Sequence, residues 1–388
     1  MIASILRRRW LIYKSPANLN LMEHTRRHIR LLRPRHRAAV LEFGLLHGGD
    51  IRKHCRVIRP HIGIITNIGT AHIGHFRGSR YRLALAKSEL IRNMKRKGWV
   101  FLNADCSYSG KFVRQPFRGA FAGTFVSVGI NHPATYRAYN VQYEQNGMSF
   151  MCNIAGSPHH FFIPVHGHHN ITNALLAIAV THKLGFPVED IQMGLRTYTQ
   201  PHRRLMTVQC NSVTVIDDTY SANPNAMKAG IDVLSEIGKG TNVAVLGSML
   251  ELGRYRSEGH LLVGRYLSQK NVHYLVTYGA YAGKIAAGAI ESGFPPEKVY
   301  PCTNREQMHG VLANLVKSNT TFLVKGSHKM KMNRTAAYLR QAASKLVKPI
   351  QQEDSFHIPT GAQPIQTSLT PEDPSGSVEL GESPDDAR

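Results

Sequence analysis

The sequence predicts an α/β protein in which short apolar strands alternate with helices, building two successive parallel sheets along the chain. Three observations carry this expectation. Apolar, β-branched runs such as residues 62–67 and 243–247 end in polar or glycine-rich turns. Between such runs lie stretches with apolar residues at helical spacing, for example Ile171, Ala174, Leu175 and Ile178. A chain of 388 residues, 42% hydrophobic and 19% charged, with 33 glycines, is too long for one small module and unlike a disordered chain or a coiled coil.

The elements follow in order. Residues 1–6 read as the end of a helix: their apolar patch precedes Arg7, Arg8 and Arg9, the reverse of a secretory signal. Residues 37–43 and 62–67 are strand candidates, each running into the kind of turn where α/β active sites lie. A helix over 84–97 and a strand over 99–103 complete a first α/β block. Between Phe121 and Pro164 helical periodicity disappears and strand-like pieces such as 147–152 predict a β-rich excursion. Asn170 opens a helix that Gly185 stops. After a break near Pro201 the alternation restarts, with strands over 213–217, 243–247, 274–278 and 321–325 and helices over 225–237, 258–269 and 281–292. The expected organisation is therefore residues 1–200, residues 201–346, and an acidic tail over 347–388 whose Pro, Ser, Thr and Gln content predicts disorder.

Charge and cysteine usage bound the partners. Lys plus Arg number 48 against 25 Asp plus Glu, a net charge of +23, which attracts polyanions, whether nucleotides, nucleic acid or anionic lipid. Nucleic-acid binding rests on this charge alone, with no aromatic-basic motif or zinc spacing beside it. The five cysteines are far apart and form no C-x-x-C pair, which favours neither a disulfide framework nor a cysteine zinc site and suits a reducing cytoplasm. No run approaches the roughly 18 apolar residues of a membrane span.

The sequence holds no glycine-rich phosphate loop. The nearest stretch, residues 279–285, is one residue short, lacks the Ser or Thr that would hold magnesium, and reads as a helix start. Two other places are richer in chemistry: residues 217–227, with two carboxylates and an Asn-Pro helix start, and residues 66–72, a polar strand end closing on a histidine.

Taken in order, Glu42-Phe43-Gly44, residues 65–72, Ala86-Lys87-Ser88-Glu89-Leu90, Asn103-Ala104-Asp105, residues 167–174, Arg204-Leu205, residues 217–227, residues 246–253 and Val324-Lys325-Gly326-Ser327 resemble the Mur ligases. The branch they are most similar to adds D-alanyl-D-alanine to a UDP-muramoyl tripeptide, and the resemblance runs from Met1 to about Arg340. It implies a central ATPase domain and a C-terminal Rossmann-like domain with ATP between them. It also implies transfer of the γ-phosphate to a carboxylate, then attack of an amino acid or dipeptide amine on the acyl phosphate. Carboxylate and phosphate repel, so such a reaction needs magnesium and positive side chains to neutralise both.

Carried over by position, the resemblance implies Glu42 and His72 as magnesium ligands and Lys87 as a lysine that is carbamylated to join them. It implies Asn170 on the adenine side, Arg204 at the nucleotide, Asp218 at the ribose hydroxyls, and Lys325 and Ser327 at the incoming amine. The pattern departs from the family where Ser248 replaces an aspartate, Leu46 an asparagine and His328 an arginine, which bears on the amine side. The family's phosphate loop and its UDP-sugar domain would precede Met1, so the sequence as it stands is expected to bind ATP weakly and turn it over slowly. Two expectations follow: a ligase given by an incomplete sequence, or a non-catalytic relative that binds a nucleotide or an anionic polymer. The oligomeric state and the acceptor are not legible.

Overall fold

The computed structural model describes residues 1–346, and the expected acidic tail over 347–388 lies outside the described residues. The first strands, β1 (Ile12–Lys14) and β2 (Ala38–Val40), form a short parallel pair. A second sheet follows in chain order: β3 (Ile62–Ile65), β4 (Trp99–Asn103), β5 (Thr124–Gly129), β6 (Tyr136–Glu144), β7 (Gly147–Ile154) and β8 (Ser157–Ile163). Its first four strands are parallel, and β6, β7 and β8 are joined as antiparallel hairpins. The physical reason is visible in the burial. Val100, Phe101 and Leu102 of β4 are all buried, as befits a strand covered on both faces. The start of β6 alternates buried and exposed, the signature of a half-solvated antiparallel strand. The β7–β8 turn is Ala155-Gly156, both at positive φ as a tight two-residue hairpin requires.

The helix His168–Lys183 is apolar almost all round, and its buried residues run from Ile171 to Thr181. Such a helix belongs in an interior, and it shares one apolar cluster with β5 to β8 and with Ala3, Ile5 and Leu6 of the helix Ile2–Leu6. The expected helix over 84–97 is corrected: two helices, Arg80–Lys87 and Glu89–Asn93, stand there. Ser79 caps the first by accepting from the Arg82 amide, and the second stops where Met94 turns extended and the Lys95 amide bonds to the Pro60 carbonyl. No glycine or proline marks that stop, so only the tertiary hydrogen bond reveals it.

The second half has its own sheet, in the order β13, β12, β11, β14, β10, β9. These strands are β9 (Met206–Cys210), β10 (Val213–Asp218), β11 (Thr241–Gly247), β12 (Tyr274–Tyr278), β13 (Val299–Cys302) and β14 (Thr320–Lys325). All pair in parallel except the edge strand β9. Helices cover both faces. Met227, Ile231, Val263, Leu267 and Ile285 fill one side, and Met308, Leu312, Ala336 and Leu339 the other. The doubly wound arrangement leaves β10, β11 and β14 ending on the same edge, where α/β proteins hold ligands.

The helices Arg256–Leu267 and Gly283–Ile290 meet backbone to backbone. A Cβ on Gly264 would lie 2.0 Å from the Ile285 carbonyl oxygen, and one on Gly288 would lie 2.4 Å from that of Leu261. Gly264→Ala must therefore push the pair apart, at about 1–3 kcal/mol, the usual range for overpacking. Gly283→Ala, with nothing within 4 Å of its Cβ, is the control. Chemical denaturation is expected to show a lowered midpoint for the first variant and none for the second.

Candidate active site

The loop after β3 is one place where the two halves touch. Ile68 is fully buried and anchors the loop, with its amide donating to Cys106 Sγ at 3.3 Å. Thr70 Oγ1 donates to Asn225 Oδ1 at 2.9 Å, which brings the run over residues 66–72 against the Asn-Pro helix start of residues 217–227. His72 Nδ1 donates to Glu251 Oε2 at 2.8 Å, and the Gly74 amide donates to the Glu251 carbonyl at 3.0 Å. Between them Ile73, 2% exposed, inserts into the cluster that contains Met249 and Leu252. Gly74 and Gly253 approach so closely that a Cβ on Gly253 would lie 2.8 Å from Gly74 Cα.

Lys87, at the end of the helix Arg80–Lys87, is no freely solvated helix lysine. Its Nζ donates to the Asn67 carbonyl at 2.9 Å, and burial lowers its pKa. Glu42, just after β2, is exposed; its Oε1 accepts from Asn20 Nδ2 at 2.8 Å and its amide donates to Ser15 Oγ at 3.2 Å. Among the described residues no hydrogen bond or ion pair joins Glu42, His72 and Lys87 to one another.

The edge of the second sheet is more tightly built. Lys325, at the end of β14 and 2% exposed, donates to Asp218 Oδ2 at 2.6 Å and to the Ser221 carbonyl at 2.9 Å. The other Asp218 oxygen accepts from the Leu205 amide at 3.3 Å. The neighbouring Asp217 plays a different part: it accepts from Thr219 Oγ1 at 2.7 Å and from Arg340 at 3.2 Å, so it shapes the turn. Arg204 lies with its guanidinium 4.0 Å from the Tyr220 ring centroid, a cation–π contact at the site's rim. Ser327 Oγ accepts from the Leu250 amide at 2.8 Å, and Ser248 Oγ accepts from Tyr281 at 3.1 Å.

Asn170 sits in the first turn of the helix His168–Lys183, where its Nδ2 donates to the His166 carbonyl at 2.8 Å and its Oδ1 accepts from Asn173. Its neighbour His169 has a lowered pKa through burial, with Asp218 raising it and Lys325 lowering it. The start of this helix therefore lies within electrostatic reach of the Asp218–Lys325 pair. The structure thus brings together Asp218 with Lys325, and His72 with the second half, while Glu42 stands apart.

Glu251, Asn225 and His260 were not legible as site residues. Glu251 and Asn225 lie inside quoted motif runs, but only the fold shows that they meet the first half. His260 is fully buried: its Nε2 accepts from the Met249 amide at 2.9 Å and its Nδ1 donates to the Arg256 carbonyl at 2.7 Å, which holds the loop after β11.

Burial lowers the pKa of His260, and also that of His54, whose ring bonds Thr25 and the Gly44 carbonyl. Both are harder to protonate when folded than when unfolded, where a histidine titrates near about 6.5. Their contribution is complete above that value. Below it the unfolded chain takes up protons first, so stability falls as pH drops. Melting temperatures are expected to hold between about pH 7 and 8 and to decline below about 6.5, with a shallower decline in His260→Gln.

Comparison with known proteins completes the picture. The Mur ligase middle domain matches residues 1–181 and the Mur ligase, glutamate ligase domain matches residues 203–328. The UDP-N-acetylmuramoyl-tripeptide–D-alanyl-D-alanine ligase of Bacillus subtilis is 29% identical over 335 residues, spanning 86% of this chain and 70% of its own. The ligase of the same name from Mycobacterium bovis is 33% identical over 270 residues, 66% of this chain and 52% of its own. The chain thus spans between half and seven tenths of these curated relatives. A crystal structure of MurF from Acinetobacter baumannii superposes with a TM-score of 0.80 at 29% identity, covering 88% of this chain and 73% of that one. With both halves matched in order, and with the fold shared over 88% of the chain, the chain belongs to the Mur ligase family.

Proposed function

We propose that this chain carries the catalytic part of an ATP- and magnesium-dependent ligase that joins a carboxylate to an amine as an amide. Residues 1–200 serve as its ATPase domain and residues 201–346 as its second domain. The substrate classes follow the relatives' names: a UDP-N-acetylmuramoyl tripeptide as the carboxylate and D-alanyl-D-alanine as the amine. A cytoplasmic setting belongs to the same reading, and the five cysteines, all free thiols, suit it.

The observation that carries the reading is the meeting of the loop after β3 with the segments that follow β10 and β11, through Thr70–Asn225 and His72–Glu251. Two halves that touch through polar loops at the ends of their strands can hold one substrate each and close on both. Bound ATP would supply the phosphoryl group that makes the carboxylate reactive towards an amine. Asp218 and Lys325 act as one unit, the carboxylate oriented by the buried ammonium so that it can accept from hydroxyl groups. Arg204 presents positive charge at the rim, and Asn170 lies in the first turn of the helix whose His169 is coupled to this pair. Ser327 fixes the Leu250 amide beside the amine side.

By donor chemistry Glu42, a hard oxygen ligand, would suit magnesium, and Lys87 would supply a second anionic oxygen once carbamylated; the structure does not join the two through any contact among the described residues. His72 fits less directly, because its Nδ1 is engaged by Glu251. Lys87 is suited to carbamylation by its lowered pKa, which raises the share of neutral amine.

Binding tests this reading without needing fast turnover. Titration with ADP and Mg2+ is expected to give one saturable site, weakened roughly tenfold in Arg204→Ala, the scale of one lost charge-assisted contact. Unchanged affinity in Arg204→Ala and Asp218→Asn together would remove the nucleotide site from this edge. Polyanion binding that falls steeply with salt, without any ADP site, would favour a non-catalytic binding module instead.

A further inference from the structure

Among the described residues one group of three side chains, His72, His75 and Glu251, brings a metal-binding atom from each within 4.8 Å of the others. We infer that these three residues form a site for a borderline transition-metal dication of the Zn2+ class, which clasps the first half of the chain to the second. Two imidazoles and one carboxylate are the donor set of open tetrahedral zinc sites, with water in the fourth place. Imidazole ligands select Zn2+, Ni2+ or Co2+ over Mg2+, which takes oxygen. This separates the clasp from the magnesium reading above: it shares His72 but uses neither Glu42 nor Lys87, and it does not rest on the ligase reading.

The spacing suits a cation. Donors bound at about 2.0–2.2 Å in a tetrahedron lie roughly 3.3–3.5 Å apart. His72 and Glu251 lie at 2.8 Å as a hydrogen-bonded pair, so a bound cation would part them by about half an ångström while the His75 ring swings inward. All three side chains are exposed, so that movement meets little resistance. The backbone is fixed more firmly than the side chains. Ile73 is buried in the opposite cluster, and the Gly74 amide is bonded to the Glu251 carbonyl. His72 and Glu251 both hold positive φ, at 58° and 64°, a conformation that costs a non-glycine residue energy and concentrates at functional positions.

The test is a titration of the intact chain with Co2+ as a spectroscopic stand-in for Zn2+. One equivalent is expected to bind with visible absorption bands that Zn2+ abolishes and excess Mg2+ does not. His75→Ala and Glu251→Gln should each weaken binding at least tenfold, and Zn2+ should raise the melting temperature of the parent but not of His75→Ala. Equal Co2+ affinity in the parent and both variants would overturn the site. His75→Ala is expected to leave ADP affinity unchanged. Absence of ADP binding in the parent alongside the expected Co2+ behaviour would sink the ligase reading and leave the clasp standing.

Discussion

Lys325→Met is expected to lower the stability of the second half by about 3–5 kcal/mol, the usual cost of removing one partner from a buried ion pair. Lys325 is 2% exposed and its Nζ is 2.6 Å from Asp218 Oδ2, so the variant leaves a carboxylate facing an apolar side chain with its compensating charge gone. The Ser221 carbonyl loses its donor at the same time. Asp218→Asn combined with Lys325→Met removes both charges and should recover much of the loss, because the larger part of the penalty is the unpaired charge and not the missing attraction. The two tryptophans of the sequence, Trp10 and Trp99, both lie in the first half. Urea unfolding followed by tryptophan fluorescence and by far-ultraviolet circular dichroism therefore distinguishes the halves. The early transition of Lys325→Met should appear in dichroism before fluorescence. Coincident, unshifted transitions would show that the pair contributes little.

The second large effect is on turnover. Whatever rate of amide formation the parent shows, Lys87→Ala is expected to lower it by roughly a hundredfold or more, the scale on which removal of one transition-state stabilising group acts. The argument starts from the position of Lys87: its Nζ is tied to the Asn67 carbonyl, and desolvation lowers its pKa, so more of it is neutral amine at a given pH than for a solvated lysine. Neutral amine adds carbon dioxide, and the product is an anionic oxygen ligand. The rate should therefore rise with added bicarbonate in the parent and not in Lys87→Ala. Lys87→Arg keeps the positive charge without forming a carbamate. Full activity in that variant would show that Lys87 acts as a cation and would dismiss the carbamate role.

Much of this architecture can be read from the residues, and the failures have identifiable causes. The strand Trp99–Asn103 was legible because Val100, Phe101 and Leu102 form a continuous apolar run, and the structure buries all three. The β-rich excursion was legible from lost helical periodicity, but the parallel join of β5 to β6 was not, since pairing direction is set by the path of the chain. The helix end at Asn93 fell short of the expected one because the Lys95 amide is taken by the Pro60 carbonyl, and the end at Ile290 because the chain is already turning into Gly293, whose positive φ closes the helix with the Phe294 amide on the Ala289 carbonyl. At the site, Asp218 and Lys325 stood out as motif residues, yet their pairing depends on β10 and β14 being neighbours despite a separation of 107 positions in the chain. Glu251 is an exposed acid in a loop, which no pattern separates from an ordinary surface glutamate; its meaning comes only from His72 and Gly74 across the seam.

That seam holds one fully inserted aliphatic side chain, beside which Tyr143 of the first half also packs against the second-half cluster. Ile73 belongs to the first half by sequence and to the core of the second by packing. Opening the seam means moving it into water, and the resistance to that movement weakens on cooling because hydrophobic attachment is entropic near room temperature. The polar contacts around it, Thr70–Asn225 and His72–Glu251, do not share this dependence. Chilling therefore tilts the joint towards separation while each half remains folded, so that loss of catalytic competence in the cold should be reversible and should precede any unfolding.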